Sequence, residues 1–443
     1  MNVDNKDRIK INPGVQWLLT LGLLVFSVAL AAFTALQYRM DPHFFSVYGL
    51  NHPAITDYSL RLLGHQLRPL NPSVYRQFFI IFLASLWLAY ASFAIAGLRG
   101  AVIKLRLIVL LSVVAAVGLC VLCPPSFSTD VYTSSFYGRA HGMYGISPYI
   151  GGLPRMVPHQ DPICHFRVSD GPSPYGPLWT VITDLSARFP GCFGVYWQVV
   201  ALKLMCAMSL IGAAFAGRKV ADVLSPGYGD LAFLAIGLNP LFLIEGPGNG
   251  HNDILMMFLL LSSVYLFMKG RNWQAGLVFS LALGVKFIPI ILLPWLIMRF
   301  GRGKSVQETV ARSGVILAVS ILPVLAAYFL FWQPTMFVGL TGRLHGMGGS
   351  AVPHHGDFAT HAMPIIAIYA ALTYYVRGSK DSWAWFTSSA VLLLALQYFV
   401  PDPFPWYFAW SWVLSLACWN KTSRILSAIN FAFAFGAMIY YAF

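Results

Sequence analysis

The sequence predicts an all-α polytopic membrane protein, and three observations carry that prediction. Hydrophobic residues fill 58% of the 443 positions. Apolar stretches recur along the whole length, many of them near the ~20 residues that a helix needs to cross the hydrocarbon core. Only 10% of the residues are charged, and most of those lie between the apolar stretches rather than in them.

Taken in order, the candidate spans are 15–38, 74–97, 101–122, 195–216, 229–245, 253–269, 272–285, 287–299, 310–332, 361–376, 384–400, 404–420 and 424–443. Some fall short of full length, so the expected number is about 11–13 transmembrane helices. The first run is long enough to remain as an anchor and shows no small-residue cleavage site, which favours a span over a removed signal. The segment 175–189 is too short and too mixed to cross and reads as a helix at the interface, with Pro177 suited to its first turn. The two runs either side of Lys286 are the shortest and read as broken or re-entrant.

Basic residues set the orientation, because Lys and Arg favour cytoplasmic loops. Lys6, Arg8 and Lys10 precede the first span. Arg99 with Lys104, Arg218 with Lys219, Lys269 with Arg271, Arg299 with Arg302, Arg377 with Lys380, and Lys421 with Arg424 fall on the same side if 175–189 does not cross. The expected N-terminus is then cytoplasmic, and the loop 123–194 faces outward, as does a second loop over 333–360. All eleven His and most of the sixteen acids fall on the outer side. The net charge of +13 follows from this anchoring and calls for membrane lipids, not nucleic acid, as a partner. No soluble domain or internal repeat is apparent, so 1–443 reads as one membrane domain carrying outer loops.

Four outer segments could converge on a site. In STDVYTSSFYGRAHGMYGISPY, Asp130 stands just outside a span. A lower dielectric there would raise its basicity and suit a general base. Ser128, Thr129 and Asp130 are equally good helix N-caps. Arg139 could bind phosphate through its guanidinium fork. In SPYGPLW, two prolines stiffen a turn, and Tyr175 and Trp179 suit the headgroup level. In EGPGNGHND, glycines allow close backbone approach, and His251, Asn252 and Asp253 open the next apolar run. In GVKFIPIILLPWL, Lys286 is the one charge of an apolar run that holds no acid. Such a residue is a functional candidate by default, with snorkelling to the surface as the alternative, and Pro289 breaks the helix beside it. Lys203 has the same ambiguity. The loop 341–361 holds four His and Asp357 without ordered ligand spacing, so a divalent metal is open rather than indicated. The aromatic turn 401–410 could wall a lipid site. Cys164 and Cys192 share the outer loop and could pair in an oxidising compartment.

These residues, in this order, resemble the GT-C superfamily of membrane glycosyltransferases. The likeness is nearest to the polyprenol-phosphate-mannose-dependent α-1,6-mannosyltransferases. The carrying motifs are Asp130-Val131-Tyr132, Gly138-Arg139, Gly145-Ile146-Ser147-Pro148-Tyr149, Pro174-Tyr175-Gly176-Pro177-Leu178, Asn239-Pro240-Leu241, Gly250-His251-Asn252-Asp253 and Val285-Lys286-Phe287-Ile288-Pro289. They span about 124–300, with weaker likeness at Pro405-Trp406-Tyr407. Two features depart from the pattern: Tyr137 precedes the Gly-Arg pair, and the loop 150–172, with Cys164, has its own sequence.

The resemblance implies a GT-C-like fold in a bacterial inner or plasma membrane. It implies inverting transfer of a sugar, mannose by likeness, from a polyprenyl-phosphate donor to a glycan or glycolipid acceptor on the outer face. Asp130 is then the base. Arg139, Lys286, His251 and Tyr132 hold the donor phosphate and lipid. Asn252, Asp253, Tyr149, Tyr175 and Asp161 contact sugar or acceptor. The resemblance fixes no cofactor, and a divalent metal stays open. A transporter or lipid-linked-glycan flippase shares the spans and the broken helices. It would place its charged site near mid-membrane and carry repeat symmetry.

Overall fold

The computed structural model describes residues 13–40, 52–98, 106–332 (apart from 126, 151, 167, 170 and 304), 358–399 (apart from 380 and 382) and 404–442. Among them there are helices, turns and loops but no strand. The second outer loop, 333–360, lies outside the described residues but for its last three. So does most of 341–361, with Asp357; the side chain of His361 is also undescribed.

The helices follow the apolar runs. α1 (Pro13–Gln37), α3 (Pro72–Leu98) and α4 (Arg106–Leu122) open the chain, with a short polar helix, α2 (His52–Leu63), between the first two. α5 (Asp130–Tyr144) and α6 (Pro177–Arg188) form the body of the 123–194 loop. α7 (Val195–Leu224) returns through the core. α8 (Gly229–Gly237), α9 (Pro240–Leu243) and a π-helical turn (Ile244–Gly248) lead into α10 (Asp253–Met268). α11 (Asn272–Val285), α12 (Leu293–Phe300), α13 (Val306–Phe329), α14 (Phe358–Gly378), α15 (Trp383–Phe399), α16 (Phe408–Leu416) and α17 (Lys421–Ala442) complete the chain.

Five of these are long and apolar enough to cross a membrane alone: Trp17–Gln37, Pro72–Phe93, Val195–Leu224, Val306–Phe329 and Lys421–Tyr440. A sixth is the pair Gly229–Gly237 and Pro240–Gly248, bent by 50°. The other apolar helices, among them Val109–Leu122, Asp253–Met268, Ile288–Phe300 and Trp383–Gln397, are shorter. Short or broken helices are tolerated at membrane depth where protein, not lipid, surrounds their freed backbone groups. α10 meets that condition: it packs on α7 and α11, and most of its length is buried.

Two packing units position the site. α1 lies along α3, and α7, α10 and α11 form the central group, with α16 against α10. α5 pairs with α6, and both rest on the end of α7. The helix expected at 175–189 is present as α6, with Pro177 at its first position. At its start the amide of Gly176 donates to the carbonyl of Val285 (2.9 Å). That contact seats the PYGP turn on the break beside Lys286. Only glycine fits: a Cβ on Gly176 would stand 2.4 Å from the Gly284 carbonyl oxygen.

Candidate active site

α5 begins without using Asp130 as a cap. The Ser128 hydroxyl accepts from the Asp130 amide (3.1 Å), and Asp130 is the first helical residue. Its carboxylate turns instead toward two other segments. The Tyr175 hydroxyl donates to Oδ2 (3.3 Å), and His251 Nδ1 lies 3.5 Å from the same oxygen. The Asp130 side chain stays 36% exposed, so one carboxylate in this cluster is open to a substrate.

The turn carrying His251 is shaped by its sequence. Asn239 caps α9, its Oδ1 accepting from the amides of Leu241 and Phe242. The chain then widens into the π-helical turn containing Pro247, a feature frequent at functional sites. Gly250 takes φ +76°, and a Cβ there would stand 2.7 Å from the Val131 side chain. Glycine therefore lets this turn approach the first turn of α5. The His251 ring stacks on Trp406 with centroids 3.8 Å apart. Its Nε2 lies 3.3 Å from Glu245 Oε2, an ion-pair contact whose geometry falls short of a hydrogen bond. His251 is thus flanked by two carboxylates.

Those neighbours set the charges. Burial opposes the charged imidazole, but Asp130 and Glu245 outweigh it and push the His251 pKa up to about 9. Burial likewise works to raise the Asp130 pKa. The contact with His251, the charge of Lys286 and the Tyr175 hydroxyl win, and the carboxyl is held below its usual range. The expectation that its setting raises the basicity of Asp130 is therefore corrected: the two nearby cations outweigh desolvation.

Lys286 follows the last residue of α11 in extended conformation. Its Nζ donates to both oxygens of Asp253 (2.8 and 3.0 Å). Trp410 Nε1 donates to Asp253 Oδ1 (2.6 Å). The rings of Tyr407, Trp410 and Tyr175 surround the ammonium at 5.2, 5.5 and 5.9 Å. The acid that its own segment lacks comes from the head of α10. Asp253 is committed to this pair and caps no helix, with its side chain 1% exposed, while that of Lys286 keeps 15%.

Asp130, His251, Asp253, Lys286 and Tyr175 are thus brought together from four segments. Other expected residues are not. Arg139 lies nine residues along α5, about 13.5 Å at the rise of an α-helix. Its Nε donates to both oxygens of Asp161 (2.7 and 2.9 Å), and Nη1 donates to the Gly191 carbonyl (3.1 Å). The Tyr144 hydroxyl and the Ile163 amide also donate to Asp161. Arg139 and Asp161 are buried, so the pair expected to meet phosphate and acceptor instead braces the loop. Tyr132 is buried and stacks on Phe166 at 4.4 Å. Tyr149 is buried, its hydroxyl 2.7 Å from that of Thr180. Asn252 is buried, and its Nδ2 has no hydrogen-bond partner among the described residues.

Sequence reasoning gave Glu245 no role in the site, and it read the aromatic turn 401–410 as a possible lipid wall without placing it against Asp253 and Lys286. For Glu245 the signal was present: an acid opening the glycine-rich turn. Among the described residues no group of three or more His, Cys, Asp or Glu side chains is arranged to hold a metal ion. Cys164 and Cys192 are both free thiols.

Helices of spanning length, broken apolar segments and a carboxylate–imidazole cluster at their ends define an integral membrane protein with a polar site at one end of its helical core. The chain belongs to the family described as alpha-(1->6)-mannopyranosyltransferase, N-terminal domain, which matches residues 54–302, more than half its length. Asp130, Glu245, His251, Asp253 and Lys286 all fall within the matched residues; the Trp406–Trp410 wall lies beyond them. Alpha-(1->6)-mannopyranosyltransferase A of Mycobacterium tuberculosis is 26% identical over 324 residues, 65% of this chain and 61% of that protein. The protein of the same name from Corynebacterium glutamicum is 29% identical over 180 residues, 40% of this chain and 36% of that one. The chain therefore spans about three-fifths of the first relative's length and little over a third of the second's. No solved structure gives a significant match.

Proposed function

We propose that this chain is a membrane mannosyltransferase. It moves mannose from a polyprenyl-phosphate donor to a hydroxyl of a glycan or glycolipid, forming an α-(1→6) link with inversion on the outer face of the membrane. Family membership supports mannosyl transfer, and the bias of Lys and Arg to one side supports the orientation. The observation that carries the chemistry is the partly exposed Asp130 carboxylate, held by Tyr175 and His251 and set beside Lys286.

In this reading Asp130 takes the proton of the acceptor hydroxyl as its oxygen bonds to the anomeric carbon. The bond from that carbon to the donor's phosphate oxygen breaks, and the lipid phosphate leaves with the electron pair. Attack from the face opposite the phosphate inverts the centre. A phosphate leaves readily, so a weak but fully ionised base suffices. What the site must supply is positioning and positive charge where the phosphate develops its own. Lys286 and His251 provide that charge; Tyr407 and Trp410 wall the sugar or lipid. Arg139 is left out of the donor contacts because it lies about 13.5 Å along α5 from Asp130 and is more deeply buried in its ion pair than Lys286 is.

The test is transfer by purified protein in lipid discs, with radiolabelled polyprenyl-phosphate sugars and mannan or glycolipid acceptors, with and without a chelator. Mannose should move from its lipid phosphate, and Asp130→Asn should lose ~10²–10⁴-fold in rate while still inserting. Absence of transfer from every such donor overturns the donor assignment. Near-normal turnover by Asp130→Asn overturns the base.

A further inference from the structure

We infer that Glu245 is a positioning residue for this reaction: it holds His251 as the oriented imidazolium against which the Asp130 carboxylate rests. The inference depends on Asp130 being the base, as proposed above, and adds a residue that never touches substrate.

Glu245 is buried, as are His251 and Asn249. A buried carboxylate needs a counter-charge, and the cation facing Glu245 among the described residues is His251, 3.3 Å away. Asn249 Nδ2 donates to Glu245 Oε2 (3.0 Å), which fixes that carboxylate. The His251 amide donates to the Glu245 carbonyl (3.0 Å), so the π-helical turn ties the two residues through the backbone as well. Trp406 covers the ring face. The imidazole therefore stands at ion-pair distance from a carboxylate on each side and is stacked on one face. In this orientation Nδ1 faces Asp130 and Nε2 faces Glu245.

The charged and titratable groups around the ring are Asp130 of α5, Glu245 of the π-helical turn, Tyr175, Asp253 at the head of α10 and Lys286 after α11. Cys206, whose thiol donates to the His251 carbonyl, and Lys203 beneath Gly250 come from α7. Among the described residues, Asp130 and Glu245 are the acids at ion-pair distance from the imidazole nitrogens. With a folded pKa near 9 against about 6.5 free, the imidazolium is kept across neutral pH and lost as pH rises through about 9. Removing the Glu245 charge should bring that loss to lower pH.

The test reads the His251 charge separately from turnover. A charged imidazole quenches a stacked indole, so the difference in emission between the protein and its Trp406→Phe variant reports on His251. The expected midpoint is near pH 9. In Glu245→Gln it should fall by about one unit or more. kcat for mannosyl transfer should drop about 10–100-fold, as for other residues that act through a neighbour, with KM little changed and an alkaline limb displaced by the same amount. Glu245→Asp, which keeps the charge, should restore most of both. Glu245→Gln retains an acceptor for Asn249, and its melting temperature in detergent shows whether it folds. An unmoved midpoint in folded Glu245→Gln overturns the inference, as does a moved midpoint with unchanged kcat. Failure of the base assignment appears elsewhere, as activity retained by Asp130→Asn.

Discussion

At the scale of single residues, charge in an apolar setting was the most legible signal, and its partners were the least. Lys286 stands out because nothing else in its run is charged. Its partner, Asp253, lies 33 residues away and meets it only because α10 and α11 pack side by side. The pair is nearly dry, so its members depend on each other: removing one side of a buried ion pair costs about 3–5 kcal/mol, whereas replacing both is often neutral. Lys286→Met is therefore expected to lower stability by about that amount, measured by denaturant or thermal unfolding in detergent. Lys286→Met with Asp253→Leu should recover most of it without recovering donor binding. Melting of Lys286→Met at the wild-type temperature would show that Asp253 does not rely on the lysine.

At the scale of elements, backbone approach decides what the motifs do. The PYGP turn and the end of α11 meet through Gly176 and Gly284, which brings Tyr175 to Asp130. Gly176→Ala forces a methyl against backbone that cannot step aside, and overpacking of this kind costs about 1–3 kcal/mol. It should also lower transfer by moving Tyr175. Gly118→Ala, where nothing lies within 4 Å, is the control and should be neutral or slightly stabilising. Equal melting and activity for the two variants would remove the close approach as a constraint. The Arg139–Asp161 pair works at this scale too. It joins α5 to the 150–172 loop and, through the Gly191 carbonyl, to the turn before α7.

At the scale of the whole molecule, apolar residues fill the core and also cover part of the outer face. Trp17, Leu21, Leu24 and Val28 are exposed along one stripe of α1, the pattern of a helix facing lipid. The polar cluster, by contrast, is folded inward at one end. The proposed orientation places that end outside the cell. Gln160, exposed in the 123–194 loop, is a suitable reporter. Gln160→Cys in a Cys164→Ser, Cys192→Ser background should react with a membrane-impermeant thiol reagent from outside intact cells. Reaction only after the cytoplasmic side is opened would invert the topology and, with it, the outer-face reading.

Composition and pattern by themselves determined that this chain is helical and lives in a membrane. Both follow from how many apolar residues stand in a row, which is a local property. They also picked out Asp130, His251 and Lys286, because polar residues at the ends of apolar runs are costly unless used or paired. Spacing could not tell which of these meet. Arg139 and Asp253 looked like free ligands until packing gave each an ionic partner from another segment. The basicity of Asp130 was read with the wrong sign because His251 and Lys286 reach it from 121 and 156 residues further along the chain. Glu245 had no visible task until the π-helical turn set it against His251. Ion pairs and pKa values depend on distances of a few ångströms between distant parts of the chain, and only the packed tertiary structure sets those distances.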